Sequence, residues 1–153
     1  MANTFSKIYL HVVFTVKGRQ CLIQKQWQDE LYKYICGVVQ AKEQKVYAIG
    51  GVSDHIHILV SMKPNIAISE LVGAIKSNSS RWINERGFIN GKFTWQEGFG
   101  VFSYSESQLD NVIGYINNQE QHHKIKSFKE EYIELLHKFN VDYDERYLFD
   151  WIE

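Results

Sequence analysis

Asp54-His55-Ile56-His57-Ile58-Leu59-Val60 decides how the rest of this chain is read. The segment is rich in β-branched residues and predicts a strand, on which side chains two apart share a face. Ile56, Ile58 and Val60 then form one face, apolar enough to belong to a core. His55 and His57 project together from the other. Two adjacent imidazoles have little to offer packing. Neutral imidazole binds divalent ions through one ring nitrogen, so the pair fits two metal ligands; the alternative is a solvated or hydrogen-bonded pair.

Outward from this strand, apolar alternation and helical periodicity mark the neighbouring elements. Ser6 to Val16 alternates strictly, with Ile8, Leu10, Val12, Phe14 and Val16 on one side and Tyr9, His11, Val13 and Thr15 on the other. It ends in Lys17-Gly18-Arg19, a basic turn open to a phosphate or to solvent. Gln24 to Gln40 has the i, i+3, i+4 spacing of an amphipathic helix, through Trp27, Leu31, Tyr34, Ile35 and Val38. Gln44 to Ile49 predicts a second strand, joined through Gly50-Gly51-Val52-Ser53 to the histidine strand as a hairpin.

A loop holding Pro64, the only proline, leads to a helix from Ser69 to about Arg86, with Gly87 at its end. Lys76, Ser77, Ser80, Arg81 and Asn84 lie off its apolar stripe, on a face suited to solvent or to DNA. Trp95 and Phe99, in the irregular segment that follows, are candidates for stacking on bases or for closing a core edge. Gly100 to Tyr104 reads as a fourth strand.

The second informative stretch is a helix expected over about Glu106 to Lys124. Its apolar stripe is Leu109, Val112, Ile113 and Ile116. Tyr115 and Gln119, spaced i and i+4, share a face to one side of that stripe, with His122 further along. An acidic helix (Phe128 to Phe139) and an aromatic tail complete the chain. Tyr147, Phe149 and Trp151 in that tail are expected to dock on the body or on a partner subunit.

The 153 residues, 44% hydrophobic, are enough for one well-cored domain, here expected to span 1–153 with its core at about 6–124 and a C-terminal helix and tail at about 125–153. The start of the chain has no signal-peptide pattern and no apolar run reaches the roughly 20 residues of a membrane span. Two cysteines without a metal or disulfide pattern fit a cytoplasmic protein with no membrane partner. The net charge of −1 conceals a split, with +4 on residues 1–126 and −5 on residues 127–153. A mildly basic body can therefore present a face to phosphates.

The order strand, helix, strand, strand, helix, strand is the βαββαβ pattern of a ferredoxin-like fold. The predicted class is α+β: an antiparallel sheet with helices on one face, the histidines on the other, open face, and C-terminal helices carrying Tyr115.

At this level the chain resembles the small single-tyrosine HUH transposases of bacterial and archaeal insertion sequences. The matching motifs are His55-Ile56-His57 and Tyr115-Ile116-Asn117-Asn118-Gln119, with His122-His123 just beyond. His11 to Arg19 is similar to that family's first strand and basic turn, Ile75 to Trp82 to its second helix, and Trp95 to Gly100 to the segment before its last strand. The likeness runs through about Ser6 to Lys124 in the family's order.

The resemblance implies a divalent ion, Mg²⁺ or Mn²⁺, held by His55, His57 and Gln119, and Tyr115 as nucleophile on a scissile DNA phosphate. It implies a covalent 5′-phosphotyrosine, single-stranded DNA with hairpin ends as substrate, and a homodimer whose active sites are shared between subunits. Lys17, Arg19, Lys76 and Arg81 become candidates for DNA backbone contacts, and His11, Asn118 and His122 for the surroundings of the active site. A relative acting on repeated extragenic hairpins would share these motifs. A non-catalytic binding module of the RNA-recognition type would carry an aromatic strand where the histidines stand. A two-histidine phosphoesterase would need His-x-Ser or His-x-Thr, which this chain lacks.

Overall fold

The computed structural model describes residues 3–144, 146 and 148, and for Arg19 the backbone alone. The expected contacts of Arg19 and the docking of Tyr147, Phe149 and Trp151 lie outside the described residues. Four strands, β1 (Tyr9–Thr15), β2 (Lys45–Val52), β3 (His55–Ser61) and β4 (Gly100–Tyr104), form one antiparallel sheet in the order β2-β3-β1-β4. This is the α+β, ferredoxin-like arrangement expected from the element order. Helices α1 (Lys25–Ala41) and α2 (Ile68–Arg86) cover one face. There Leu10, Val12 and Phe14 of β1 and Ile56, Ile58 and Val60 of β3 meet Leu31 and Ile35 of α1 and Leu71, Val72 and Ile75 of α2. Each such side chain, once fully buried, contributes about 1.5–3 kcal/mol.

Trp95 belongs to this core. Its ring meets Phe14 and Phe93 edge-on at 4.8 Å, and its indole N–H donates to Ser79 Oγ at 2.9 Å. Nearby, the Lys76 ammonium donates to the carbonyls of Gln96 (2.6 Å) and Gly98 (2.8 Å), tying the loop before β4 to α2.

Three features depart from the sequence-based expectation. First, β2 continues through Gly50 and Gly51 to Val52, and the hairpin turns at Ser53-Asp54. Gly50 is paired with His57, and a Cβ on it would overlap the Ile116 carbonyl, so the glycine is a seat for a helix and not a turn.

Second, the helix expected over 106–124 is broken. A single 3-10 turn at 106–108 leads into α3 (Leu109–Asn117), and α4 (Gln119–His122) begins after Asn118, whose φ of −105° and ψ of 21° interrupt the helix. Two consecutive asparagines, poor helix formers, make this the weak point.

Third, the histidine face is covered. Helix α3 packs on it through Val112 and Ile116 against Ala48 and Leu59. Helix α5 (Phe128–Lys138) packs through Phe128, Tyr132, Leu135 and Leu136 against Val13 and Phe102. Gly100 admits the Tyr132 ring where a Cβ would collide with it. By packing here the α5 side chains bury their apolar area and close the face that the sequence pattern left open. Among the described residues no helix is long and apolar enough to cross a membrane.

Candidate active site

The register of the sheet places the histidines. Val13 of β1 is paired with His57 and Thr15 with His55, so His11, Val13 and Thr15 rise from the same face as His55 and His57. All three imidazoles are completely buried. His55 Nδ1 lies 2.7 Å from Asp54 Oδ1, and His57 Nδ1 lies 2.7 Å from His11 Nε2. The Nδ1 atoms of His55 and His57 are thereby committed, and their Nε2 atoms are aimed inward, toward the space under α3–α5. Such partners fix both tautomer and ring direction.

The interruption at Asn118 turns Gln119 into the same space, where it is buried beneath α4. Its Oε1 lies 3.4 Å from His55 Nε2 and 3.0 Å from His123 Nε2. Tyr115, on the last turn of α3, leans over the cluster with its ring centre 5.7 Å from that of His57. Helix α5 supplies Glu131, only 2% exposed. Its Oε1 lies 3.1 Å from His57 Nε2, 3.2 Å from His123 Nε2 and 3.6 Å from His55 Nε2. Its Oε2 accepts the Tyr115 hydroxyl and, at 3.1 Å, the Gln119 amide. A cleft of about 300 Å³, lined in part by Tyr104, Asn111, Lys138 and His122, leads from the surface to Tyr115 and Glu131.

The charges follow from this packing. Burial pushes the Tyr115 phenol up, and the Glu131 carboxylate beside it pushes further in the same direction, so the hydroxyl is held as a donor. Burial opposes ionisation of Glu131, but the charge of His57 and hydrogen bonds from His123 and His55 prevail and hold its carboxyl well below the usual range. His55 is pulled down by burial, yet its hydrogen bonds to Asp54 and Glu131 leave it raised overall. Burial, above all, lowers His57, and lowers His11 further.

His55, His57, Gln119 and Tyr115 thus stand together, with His11 directly behind His57. His122 is close, its Nε2 3.2 Å from Glu131 Oε2. Asn118 marks the break between α3 and α4 and faces solvent. Lys17 and Arg81 are exposed, Arg81 donating to Asn78 at 2.7 Å, whereas Lys76 is engaged by the two carbonyls named above.

Sequence reasoning missed three members of the cluster. Asp54 was visible only as the first residue of the histidine strand and His123 only as a neighbour of His122. Glu131 had a signal: it falls within the stripe of Phe128, Tyr132, Leu135 and Leu136, where a carboxylate has no place in a purely apolar contact. The donor set of His55, His57, His123 and Glu131, with ligand atoms all within 4.8 Å of one another, fits a divalent cation.

Comparisons with known proteins converge on one family. Residues 4–119 match the family model described as "Transposase IS200 like". The chain is 24% identical over 116 residues to the ISDra2 transposase TnpA of Deinococcus radiodurans, covering 71% of this chain and 81% of that one. Among solved structures, a Deinococcus radiodurans R1 chain described provisionally as a transposase superposes with a TM-score of 0.64 at 21% identity, over 78% of this chain and 95% of that one. A REP-associated tyrosine transposase bound to a REP hairpin gives 0.56 at 13% identity, over 76% and 68%.

Proposed function

Because the chain belongs to the IS200-like transposase family, we propose that it cleaves and rejoins single-stranded DNA at transposon ends through a covalent tyrosine intermediate. The observation that carries this reading is the convergence of Tyr115 and Gln119 with His55 and His57 in one buried cluster, which a surface cleft reaches at Tyr115 and Glu131.

In the proposed reaction the Tyr115 oxygen bonds to the scissile phosphorus as the bond from phosphorus to the 3′-oxygen breaks. The products are a 5′-phosphotyrosine and a free 3′-hydroxyl, and the phenolic proton balances the one gained by the departing oxygen. A 3′-hydroxyl of a second strand reverses the exchange, so no nucleotide cofactor is consumed. His55, His57 and Gln119 would hold Mg²⁺ or Mn²⁺, which when bound supplies Lewis-acid stabilisation of the phosphate oxygens. Asp54 and His11 keep the two imidazoles turned inward. Burial under α5 excludes water, which would otherwise hydrolyse the phosphotyrosine.

A relative of this fold is described with a bound REP hairpin, which supports folded single-stranded ends as the substrate. Lys17, Arg19 and Arg81 are proposed phosphate contacts; Lys76 would have to leave its two carbonyls to join them. Homodimerisation is part of the proposal.

The test mixes the protein, Mn²⁺ and single-stranded DNA covering the flanking genomic ends, with denaturing gels as readout. A covalent protein–DNA band is expected from the wild type and is absent from Tyr115→Phe and His57→Ala. Tight hairpin binding without an adduct would overturn the reading in favour of a non-catalytic binding module.

A further inference from the structure

We propose that His123 and Glu131, which follow the stretch matched by the family, complete with His55 and His57 a three-imidazole, one-carboxylate site selective for transition-type divalent cations (Mn²⁺, Co²⁺, Zn²⁺) over Mg²⁺. The inference deepens the proposed function, since it rests on the same pocket being a cation centre.

Ring direction is the first support. The Nδ1 of His123 faces the Lys126 carbonyl at 2.9 Å, and a carbonyl can only accept. In the neutral ring Nδ1 therefore carries the proton and Nε2 presents a lone pair. Asp54 likewise favours the proton on Nδ1 of His55, so that Nε2 is the nitrogen left to ligate when the ring is neutral. Both Nε2 atoms face oxygen atoms. His123 Nε2 meets Gln119 Oε1 at 3.0 Å and Glu131 Oε1 at 3.2 Å, and His55 Nε2 meets the same two oxygens at 3.4 and 3.6 Å. Each of these contacts needs positive charge between nitrogen and oxygen, supplied without a metal by the imidazole protons that His55 and His123 donate to Glu131. One divalent cation satisfies every member at once, whereas protons on neighbouring imidazoles would repel each other.

Spacing is the second support. Ligands about 2.0–2.1 Å from a tetrahedral ion lie about 3.4 Å apart. The separations from Glu131 Oε1 to the three Nε2 atoms are 3.1, 3.2 and 3.6 Å. Donor chemistry is the third. Imidazole-rich sites favour the later first-row ions, while Mg²⁺ prefers six oxygens and retains much of its water. A pocket in which His55 and His57 are wholly buried and Glu131 is 2% exposed offers few positions for such water. The same carboxylate holds Tyr115 through its other oxygen, so the cation and the nucleophile are tied through one side chain.

The test is calorimetry on the full chain, stripped of metal and free of DNA, with Mn²⁺, Co²⁺, Zn²⁺ and Mg²⁺ titrated separately. One equivalent of Co²⁺ or Zn²⁺ is expected to bind about 100-fold or more tighter than Mg²⁺, with Mn²⁺ between, as the affinity order for nitrogen-rich sites dictates. The Co²⁺ form should show the intense visible absorption of a low-coordinate ion. Glu131→Gln and His123→Gln should each weaken Co²⁺ by about tenfold or more and alter that spectrum, while His137→Gln, an exposed histidine on α5, changes neither. If Glu131→Gln fails to fold, His123→Gln carries the test. Equal affinity for Mg²⁺ and Co²⁺, or unaltered Co²⁺ binding in both variants, would overturn the inference. Selective Co²⁺ binding without any DNA adduct would leave it standing and refute the proposed function instead. An adduct formed without Co²⁺ selectivity would do the reverse.

Discussion

The two faces of the sheet meet their helices by opposite means. Under α1 and α2, Phe14, Ile56, Ile58 and Val60 contact other hydrocarbon, and any side chain of similar volume and shape would serve nearly as well. Under α3–α5, apolar contacts such as Val112 with Leu59 and Tyr132 with Phe102 form only a rim. Inside that rim lie His11, His55, His57, Gln119 and Glu131, all buried and all polar. His11 Nδ1 and Thr15 Oγ1 in the same region lack a hydrogen-bond partner. The first face stabilises the fold. The second lowers stability to hold one arrangement of charges, a compromise typical of sites where chemistry is done.

Substitutions should break the two faces differently. The largest effect is expected from Tyr115→Phe: DNA adduct formation falls by about 10³-fold or more, as for loss of a nucleophile, while thermal unfolding shifts little. On the opposite face, Phe14→Ala should cost about 3–5 kcal/mol in denaturant unfolding through the cavity it leaves, and should lower activity only in proportion to the unfolded fraction. Asp54→Asn sharpens the contrast. It keeps the volume but removes the charge that orients His55, so cation affinity by calorimetry should fall about 10–100-fold with the fold intact. Gly50→Ala forces α3 off β2 and should destabilise by about 1–3 kcal/mol, with an added loss of adduct yield because Tyr115 rides on α3. The smallest effect belongs to Arg81→Ala, expected to reduce the salt dependence of DNA binding by about one counterion and to leave unfolding unchanged.

This asymmetry also explains what was legible in the sequence. Alternation over Ser6 to Val16 and the period of Trp27, Leu31 and Ile35 are written residue by residue, so the sheet and its apolar face could be read directly. His55 and His57 were legible for the same reason, since strand periodicity puts them side by side. The lid was not. That α3 and α5 lie across the histidine face depends on Gly50 giving way to Ile116 and Gly100 to Tyr132, contacts between distant segments that no local pattern records. The break at Asn118 looked like continuous helix because the apolar stripe carries through Ile116, and the turn that buries Gln119 comes after it. Glu131 stood in an apolar stripe within a helix read only as acidic, and its meaning appears only once the imidazoles opposite are in place.

The most direct measurement is to trap the covalent DNA adduct with Mn²⁺, digest it with trypsin and nuclease, and locate the modified residue by mass spectrometry. A single phosphonucleotide is expected, carried on the phenolic oxygen of Tyr115. A modification on any other residue, or an adduct of undiminished yield from Tyr115→Phe, would contradict it.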